Sequence, residues 1–250
     1  MKIAILGSGG REHSITYAVS KSKKISKIFC LPGNAGTSEL AQNIDIDINN
    51  FKLIYKFLKK EDIKFVIVGP EQPLVNGIVD YLEKNDVKVF GPNKIASQLE
   101  GSKIFTKNLC KKYNIPTANF GIFENKISAI NFLKKRSHPM VIKADNLASG
   151  KGVYICKNLK ESTHAVNDIF EGKFGIAKNV LIEEFLNGEE MSYFILSDGK
   201  HIKYFGSAQD HKRVGEGDTG KNTGGMGAYS PSRLFNKNLE NKILKKIIFP

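Results

Sequence analysis

Tryptophan is absent from the 250-residue sequence, and cysteine is rare, with only three residues, Cys30, Cys110 and Cys156. The cysteines share no C-x-x-C spacing, so the sequence indicates neither a disulfide framework nor a zinc site, and it predicts reduced thiols in a cytoplasmic protein. Long apolar runs are also lacking, since none approaches the roughly 20 residues that span a bilayer. The apolar stretch 2–6 is too short for the core of a signal peptide, so no membrane partner is expected.

Acidic residues are scarce beside basic ones, with 25 Asp and Glu against 38 Lys and Arg, and the net charge is +13. Such an excess attracts polyanions, so a nucleic-acid partner has to be considered. The basic residues, however, occur mostly as scattered lysine pairs such as Lys59-Lys60 and Lys134-Lys135, without a dense stripe or interleaved aromatic residues. Because isolated lysine pairs normally face water, no nucleic-acid partner is expected.

Hydrophobic residues make up 41% and charged residues 25% of the chain, which is ordinary usage for a folded protein. Short apolar runs alternate with amphipathic segments of helix length, a pattern typical of a parallel sheet with crossover helices. We predict strands at 2–6, 27–31, 64–68 and 87–90, each followed by glycine or proline. Because the carboxyl ends of parallel strands share one edge, the loops that follow should converge on a ligand there.

The pattern changes after a helix predicted at 102–113. We predict strands at 119–123, 139–144, 153–156, 180–185, 191–196 and 203–207, helices at 128–135 and 160–170, a long polar loop from Asp210 to Gly227, and a helix beginning near Asn238. The expected fold class is therefore α/β, with a Rossmann-like parallel-sheet domain followed by an α+β domain. The predicted boundaries are 1–101 for the first domain, 102–120 for a linker and the start of the second domain, 121–189 for a small subdomain and 190–250 for the start of a larger one.

A glycine turn, GSGGREH at 7–13, leads from the first strand into a helix. Its amides and the helix N-terminus can bind a phosphate or carboxylate. A nicotinamide dinucleotide site is one interpretation, but Glu12 stands where the third glycine of that motif would be, and the second strand ends in Leu31-Pro32 without a ribose-binding acid. A tight turn without a ligand is the other alternative.

Two later segments form a candidate nucleotide site. VIKADNLASGKGV at 141–153 puts Lys143 on a buried strand before a loop of small residues, whose amides can approach phosphates while Lys151 adds charge. It is not a Walker loop, since Gly152 follows Lys151 and supplies no hydroxyl for magnesium. LIEEFLNGEEMS at 181–192 runs from an apolar strand into acids that can frame a nucleotide, Glu183 at the adenine and Glu190 at the ribose. A plain hairpin and solvated acids are the alternatives, but the two segments together are specific.

The fourth segment is the glycine-rich stretch 207–231, which contains Arg213. The planar guanidinium of arginine suits bidentate recognition of phosphate or carboxylate. The glycines allow the segment to fold over a ligand and exclude water. A disordered linker is the alternative.

In combination these segments resemble the ATP-grasp superfamily and, within it, the phosphoribosylamine–glycine ligase family. The resemblance extends over the whole chain and rests on seven segments in order: GSGGREH at 7–13, PGNAG at 32–36, VGPEQPLVNGIVD at 68–80, FGPNKIASQLEGSK at 90–103, VIKADNLASGKGV at 141–153, IEEFLNGEEMS at 182–192 and SAQDHKRVGEGDTGKNTGGMGAYSP at 207–231. It implies a pre-ATP-grasp domain followed by a partial ATP-grasp domain, with 121–189 as its lid.

The resemblance also implies a reaction in purine biosynthesis: ATP-dependent ligation of glycine to 5-phosphoribosylamine, giving glycinamide ribonucleotide, ADP and phosphate. The glycine carboxylate would attack the γ-phosphate, and the amine would then displace phosphate from glycyl phosphate. Catalysis would consist mostly of positioning and of charge neutralisation by lysines, amides and Mg²⁺ or Mn²⁺. The expected partners are therefore small molecules, and the sequence does not predict an oligomeric state.

Site residues follow from the resemblance by position. The ATP site would comprise Lys103, Lys143, Ser149, Gly150, Lys151, Gly152, Glu183, Glu184, Phe185, Leu186 and Glu190. The substrate site would comprise Gly9, Gly10, Asn34, Gly69, Pro70, Glu71, Asp210, Lys212 and Arg213. Lys143, Asp210 and Arg213 would be the catalytic residues.

The sequence departs from the family pattern at Asn146, Ser149 and Lys221, where glycine, alanine and proline are usual, and these changes should be tolerated. A segment of the form N-x-E-x-N-x-R-x-G-D-P, which carries the family's metal-binding acid and asparagine, is missing. We therefore expect no metal ligands in these 250 residues, and we expect the chain to be the N-terminal part of a longer enzyme, a fragment or split-gene product that is inactive alone.

Two alternatives remain open. One is another purine-pathway ATP-grasp ligase, such as a carboxylase acting on aminoimidazole ribonucleotide, although DHKRVGEGDTG and GSGGREH argue against it. The other is a nucleotide- or nucleic-acid-binding module without turnover.

Overall fold

The computed structural model describes residues 1–145, 152–175, 177–211, 213–217, 219–223 and 227–250. The chain divides into two compact units, Met1–Thr106 and Lys107–Pro250. Within the described ranges, no helix is both long and apolar enough to cross a membrane.

The first unit contains a five-stranded sheet of order β3-β2-β1-β4-β5 in which every neighbouring pair is parallel, as predicted. The strands are β1 (Lys2–Gly7), β2 (Lys27–Pro32), β3 (Gln42–Asn43), β4 (Phe65–Val68) and β5 (Lys88–Phe90). The helices are α1 (Gly10–Ser20), α2 (Ala35–Ser38), α3 (Phe51–Lys60), α4 (Glu71–Asn76), α5 (Ile78–Glu83), α6 (Gln98–Gly101) and the start of α7 (Lys103–Lys112).

The central strand β1 is covered on both faces, which explains why its sequence is continuously apolar. Ile3 and Ile5 belong to one buried cluster, and Ala4 and Leu6 belong to another. Full burial of an isoleucine or leucine side chain stabilises a fold by about 1.5–3 kcal/mol relative to exposure. The packing therefore fixes the strand and, at its carboxyl end, the position of Gly7.

The second unit contains a four-stranded antiparallel sheet of order β6-β9-β7-β8. Its strands are β6 (Phe120–Phe123), β7 (Met140–Ala144), β8 (Val153–Cys156) and β9 (Val180–Glu184), and the helices α8 (Lys126–Leu133) and α9 (Leu159–Phe170) contribute to its core. Asn125 and Asn158 cap the two helices by accepting bonds from Ser128 N and Glu161 N. Such caps typically stabilise a helix by about 1 kcal/mol.

The alternation of side chains along the strands separates two faces of this sheet. Ile142 and Ala144 of β7 and Ile182 of β9 pack with the helices in one core. Lys143 and Glu183 are offset by one residue from these positions, so they lie on the opposite face.

The remaining elements of the second unit follow β9. They are β10 (Ser192–Ser197), β11 (Ile202–Asp210), β12 (Arg213–Gly215), β13 (Thr219–Asn222), β14 (Ala228–Tyr229), α10 (Lys237–Ile243) and a π-helical turn at Leu244–Ile248. The prediction of a loop from Asp210 to Gly227 was wrong in part, because β12 and β13 pair as antiparallel strands within it. Gly217 and Gly220 have positive φ angles of 66° and 86°, so glycines that indicated a loop instead allow the chain to reverse.

Candidate active site

Three predicted loops meet at the carboxyl edge of the parallel sheet in the first unit. Gly33 N donates to Gly7 O at 3.1 Å, and Gly69 N donates to Leu6 O at 3.1 Å. Asn34 Nδ2 donates to Ser8 O at 2.8 Å. The loops after β1, β2 and β4 are therefore held together by hydrogen bonds, as expected for strands that share one edge.

Asn34 also shapes the loop that contains it. Its Oδ1 accepts a bond from Thr37 N at 2.9 Å and so caps the short helix α2. Its Nδ2 donates to the backbone of the glycine turn, at Ser8 O and Gly9 O. This predicted substrate residue therefore ties one loop to another.

Arg11 links two further predicted substrate residues, Gly69 and Glu71, to the glycine turn. Arg11 itself was not predicted as a site residue. Its Nη1 donates to Gly69 O, and its Nη2 donates to Glu71 Oε1 at 2.9 Å. Burial alone would raise the pKa of Glu71, but the residue's own backbone amide and the Arg11 guanidinium lower it overall. Glu71 is therefore ionised at neutral pH.

Two predicted substrate residues lie at the starts of helices. Gly10 is the first residue of α1 and Glu71 is the first residue of α4, and Pro70 is the N-cap of α4.

Glu12 has a structural position that accounts for its departure from the dinucleotide motif. Its side chain is buried at 4% exposure, and Oε2 accepts a bond from Gly9 N at 2.6 Å. A Cβ atom on Gly69 would lie only 1.9 Å from Glu12 Oε1. The carboxylate therefore occupies space beneath the turn and requires glycine at 69.

In the second unit, the structure brings together Lys143 and Glu183. Their side chains form an ion pair in which Lys143 Nζ donates to Glu183 Oε2 at 2.9 Å. In the register of β7 and β9, Lys143 is opposite Leu181 and Val141 is opposite Glu183, so the two charged residues are diagonal neighbours. Diagonal neighbours on one face are within reach of long side chains. The two segments predicted to form one nucleotide site are thus adjacent.

Lys107 completes this cluster, and the sequence analysis missed it. Its Nζ lies 3.4 Å from Glu183 Oε1, and its side chain is 11% exposed. It donates to Thr117 Oγ1 at 2.7 Å and lies 5.4 Å from the centre of the Phe120 ring. A lysine in a lysine-rich amphipathic helix carries no sequence signal that distinguishes it from a solvated one.

The residues after Glu183 are more exposed. Glu184 accepts two bonds from Asn119, from the backbone amide at 2.9 Å and from Nδ2 at 3.0 Å, and these bonds lower its pKa. Phe185 and Leu186 are large apolar side chains with 38% and 63% exposure. Glu190 is exposed. An exposed aromatic and aliphatic pair next to a charged cluster can contact the flat face of a base.

The remaining predicted site residues belong to other elements or lie outside the described residues. Ser149, Gly150, Lys151 and Lys212 fall outside the described residues. Gly152 O accepts a bond from Ala144 N at 2.9 Å, which continues the pairing of β7 with β8. Asp210 pairs with Ala228, Arg213 pairs through its backbone with Asn222, and Lys103 belongs to the first unit. Over the ranges that the structure covers, no group of three or more His, Cys, Asp or Glu residues could hold a metal ion.

The antiparallel sheet of the second unit lies in a segment, residues 101–250, that matches an ATP-grasp domain model, so the chain is an ATP-grasp protein. The biotin carboxylase domain of Hydrogenobacter thermophilus 2-oxoglutarate carboxylase has a similar fold, with a TM-score of 0.76 and 18% identity over 99% of this chain and 56% of that one. The chain belongs to the phosphoribosylglycinamide synthetase family, whose N-domain model matches residues 1–100 and whose ATP-grasp (A) domain model matches residues 101–250.

Relatives agree with this assignment. The chain is 45% identical over 251 residues to phosphoribosylamine–glycine ligase of Brucella melitensis and 46% identical over 254 residues to that of Haemophilus influenzae. The crystal structure of phosphoribosylamine–glycine ligase from Thermotoga maritima matches with a TM-score of 0.83 and 34% identity over 98% of this chain. The chain covers 59% of the length of each of these three proteins.

Proposed function

We propose that this chain provides the ATP-binding and sugar-phosphate-binding parts of a ligase that joins glycine to 5-phosphoribosylamine. The products would be glycinamide ribonucleotide, ADP and phosphate. The observation that carries this proposal is the match of both family models, which together extend over residues 1–250. The paired Lys143 and Glu183 support it, because they join two segments that lie 40 residues apart into one charged site.

ATP would bind on the face of the β6-β9-β7-β8 sheet that carries Lys143. The ammonium group of Lys143 would neutralise charge on the phosphates, and Phe185 and Leu186 would contact the adenine. A cation held next to the phosphates stabilises the negative charge that develops in the transition state. The cation lowers the activation barrier because it is already in position when the reaction begins. We also propose that residues 121–189 form the lid of the ATP-grasp domain and that 190–250 begin its larger subdomain.

The sugar phosphate would bind at the carboxyl edge of the parallel sheet. Gly10 begins the 11-residue helix α1, and the N-terminus of such a helix attracts anions. Asn34, Gly69 and Glu71 lie on loops that hydrogen bonds hold at this edge. The amide of Gly9 already donates a hydrogen bond to Glu12, so the phosphate would accept hydrogen bonds from other backbone amides of the turn.

ATP-grasp ligases use a divalent metal with ATP, and we propose Mg²⁺ for this reaction. The described residues do not fit a metal site, since they include no cluster of three or more His, Cys, Asp or Glu side chains. The roles that remain for this chain are to bind, orient and neutralise the charge of the phosphates.

The proposal is tested by the affinity of the purified chain for ATP. Lys143→Ala should weaken ATP binding roughly 10- to 100-fold, because a hydrogen bond to a charged group is worth about 1.5–3 kcal/mol. The exposed Lys203 provides the matched control, and Lys203→Ala should bind ATP as the unsubstituted chain does. Calorimetry measures both affinities, and circular dichroism checks the fold. Equal affinities for the two variants would contradict the proposed ATP site.

A further inference from the structure

Glu183 is a buried carboxylate between two lysines. Its side chain is 7% exposed, with Lys143 Nζ at 2.9 Å from Oε2 and Lys107 Nζ at 3.4 Å from Oε1. Among the residues that the structure describes, Oε1 has no hydrogen-bond donor, so Lys107 pairs with it through charge alone. One negative charge is therefore shared by two positive ones.

The two lysines differ in how firmly they are held. Lys107 is 11% exposed and donates to Thr117 Oγ1 at 2.7 Å, and Ala118 O lies within 3.4 Å of the same nitrogen. Lys143 is 26% exposed, and among the residues that the structure describes it donates a hydrogen bond to Glu183. Lys143 is thus the lysine that can turn toward a ligand, and Lys107 is the one that stays.

We propose that Lys107 is a positioning residue that keeps Glu183 neutralised when Lys143 leaves it to contact the phosphates of ATP. This inference rests on the proposed function, because it assumes that Lys143 is the phosphate ligand. Lys107 does not touch the nucleotide in this account. It acts through Glu183, and its effect is confined to ligands that carry phosphate.

The electrostatic reason is the cost of a buried charge that loses its partner. Removing one member of a buried ion pair is strongly unfavourable, because the other charge remains desolvated and uncompensated. If Lys107 were uncharged, Lys143 would be the one cation among the described residues that neutralises Glu183. Lys143 could then not reach the phosphates without leaving the buried Glu183 carboxylate without a positive partner. With Lys107 in place, the carboxylate keeps a cation whichever way Lys143 points.

The test compares ATP and adenosine as calorimetric ligands of the 250-residue chain and its variants. Lys107→Met should weaken ATP binding at least tenfold and change adenosine binding less than threefold. Lys107→Arg, which keeps the charge, should retain ATP affinity within about threefold. Lys107→Gln, which keeps a donor for Thr117 but loses the charge, should behave like Lys107→Met, so a folding defect of the methionine variant does not decide the result.

The coupling of Lys107 to Glu183 is tested by repeating Lys107→Met in a Glu183→Gln background. Without the carboxylate, loss of the Lys107 charge should change ATP affinity less than threefold. The inference would be overturned, while the proposed function stands, if Lys107→Met weakened ATP binding equally in both backgrounds. It would likewise be overturned if the substitution weakened ATP and adenosine binding equally, or if it weakened neither. If the unsubstituted chain fails to bind ATP, the proposed function is overturned and this inference with it.

Discussion

Gly69 lies against the buried carboxylate of Glu12, and this contact predicts the effect of a single methyl group. A Cβ atom at position 69 would lie 1.9 Å from Glu12 Oε1 and 2.6 Å from its Cδ. Gly69→Ala should therefore lower the free energy of unfolding by about 1–3 kcal/mol, the usual cost of overpacking. Urea denaturation followed by circular dichroism measures the change.

Gly10→Ala is the control for this prediction. A Cβ atom at position 10 would meet nothing within 4 Å, and alanine is a better helix former than glycine at the start of α1. The control should be at least as stable as the unsubstituted chain. A Gly69→Ala variant as stable as Gly10→Ala would show that Glu12 does not fill the space beneath the turn.

Individual residues were predictable from the sequence where a pattern marks them. Lys143 was identified because it interrupts an apolar strand before a loop of small residues. Glu12 was noticed as an exception to a glycine motif, but its inward orientation depends on Gly69, which is distant in the sequence. Lys107 was missed, because its burial depends on Thr117 and Glu183 and not on its neighbours in α7.

At the scale of elements, Asp168 of α9 connects this helix to β8 and to the turn that follows the helix. Asp168 Oδ2 accepts bonds from Lys173 Nζ at 2.6 Å and Tyr154 Oη at 2.7 Å. These two bonds outweigh burial and lower the pKa of Asp168. Burial and the neighbouring Asp168 raise the pKa of Tyr154, so its hydroxyl remains a donor at neutral pH.

The lowered pKa of Asp168 predicts a pH dependence of stability. A carboxyl group with a lowered pKa in the folded state stabilises the fold above its unfolded value of about 3.9, and this contribution is lost as the pH falls through the folded value. Asp168→Asn should therefore be less stable than the unsubstituted chain at pH 7, and the difference should shrink below about pH 4. Thermal unfolding between pH 3 and pH 7 measures this, with the exposed Asp45→Asn as the control. A pH-independent difference would contradict the role of the charge.

The elements themselves followed the sequence closely where apolar residues alternate or recur at helical spacing. The predicted strand 153–156 is β8, and the helix predicted at 160–170 is α9, which begins one residue earlier at Leu159 because Asn158 caps it. The hairpin of β12 and β13 was not predicted. Its strands contain glycine and polar residues, and their pairing depends on turns that glycine permits.

At the scale of the whole molecule, the order of the seven segments along the sequence indicated the family. The N-domain model of that family matches residues 1–100, and its ATP-grasp (A) domain model matches residues 101–250. The proposed subdivision of 102–250 into a linker, a lid and a larger subdomain stays a prediction. Segment order is a property of the sequence, whereas the position of a subdomain boundary depends on packing between elements.

The central claim is that ATP binds on the sheet face that carries Lys143 and Glu183. The most direct test is a crystal structure of the chain with a non-hydrolysable ATP analogue. We expect phosphate oxygens within about 2.7–3.2 Å of Lys143 Nζ, adenine against residues 183–186, and Lys107 still beside Glu183. An analogue bound elsewhere, with the bond between Lys143 and Glu183 unchanged, would contradict it.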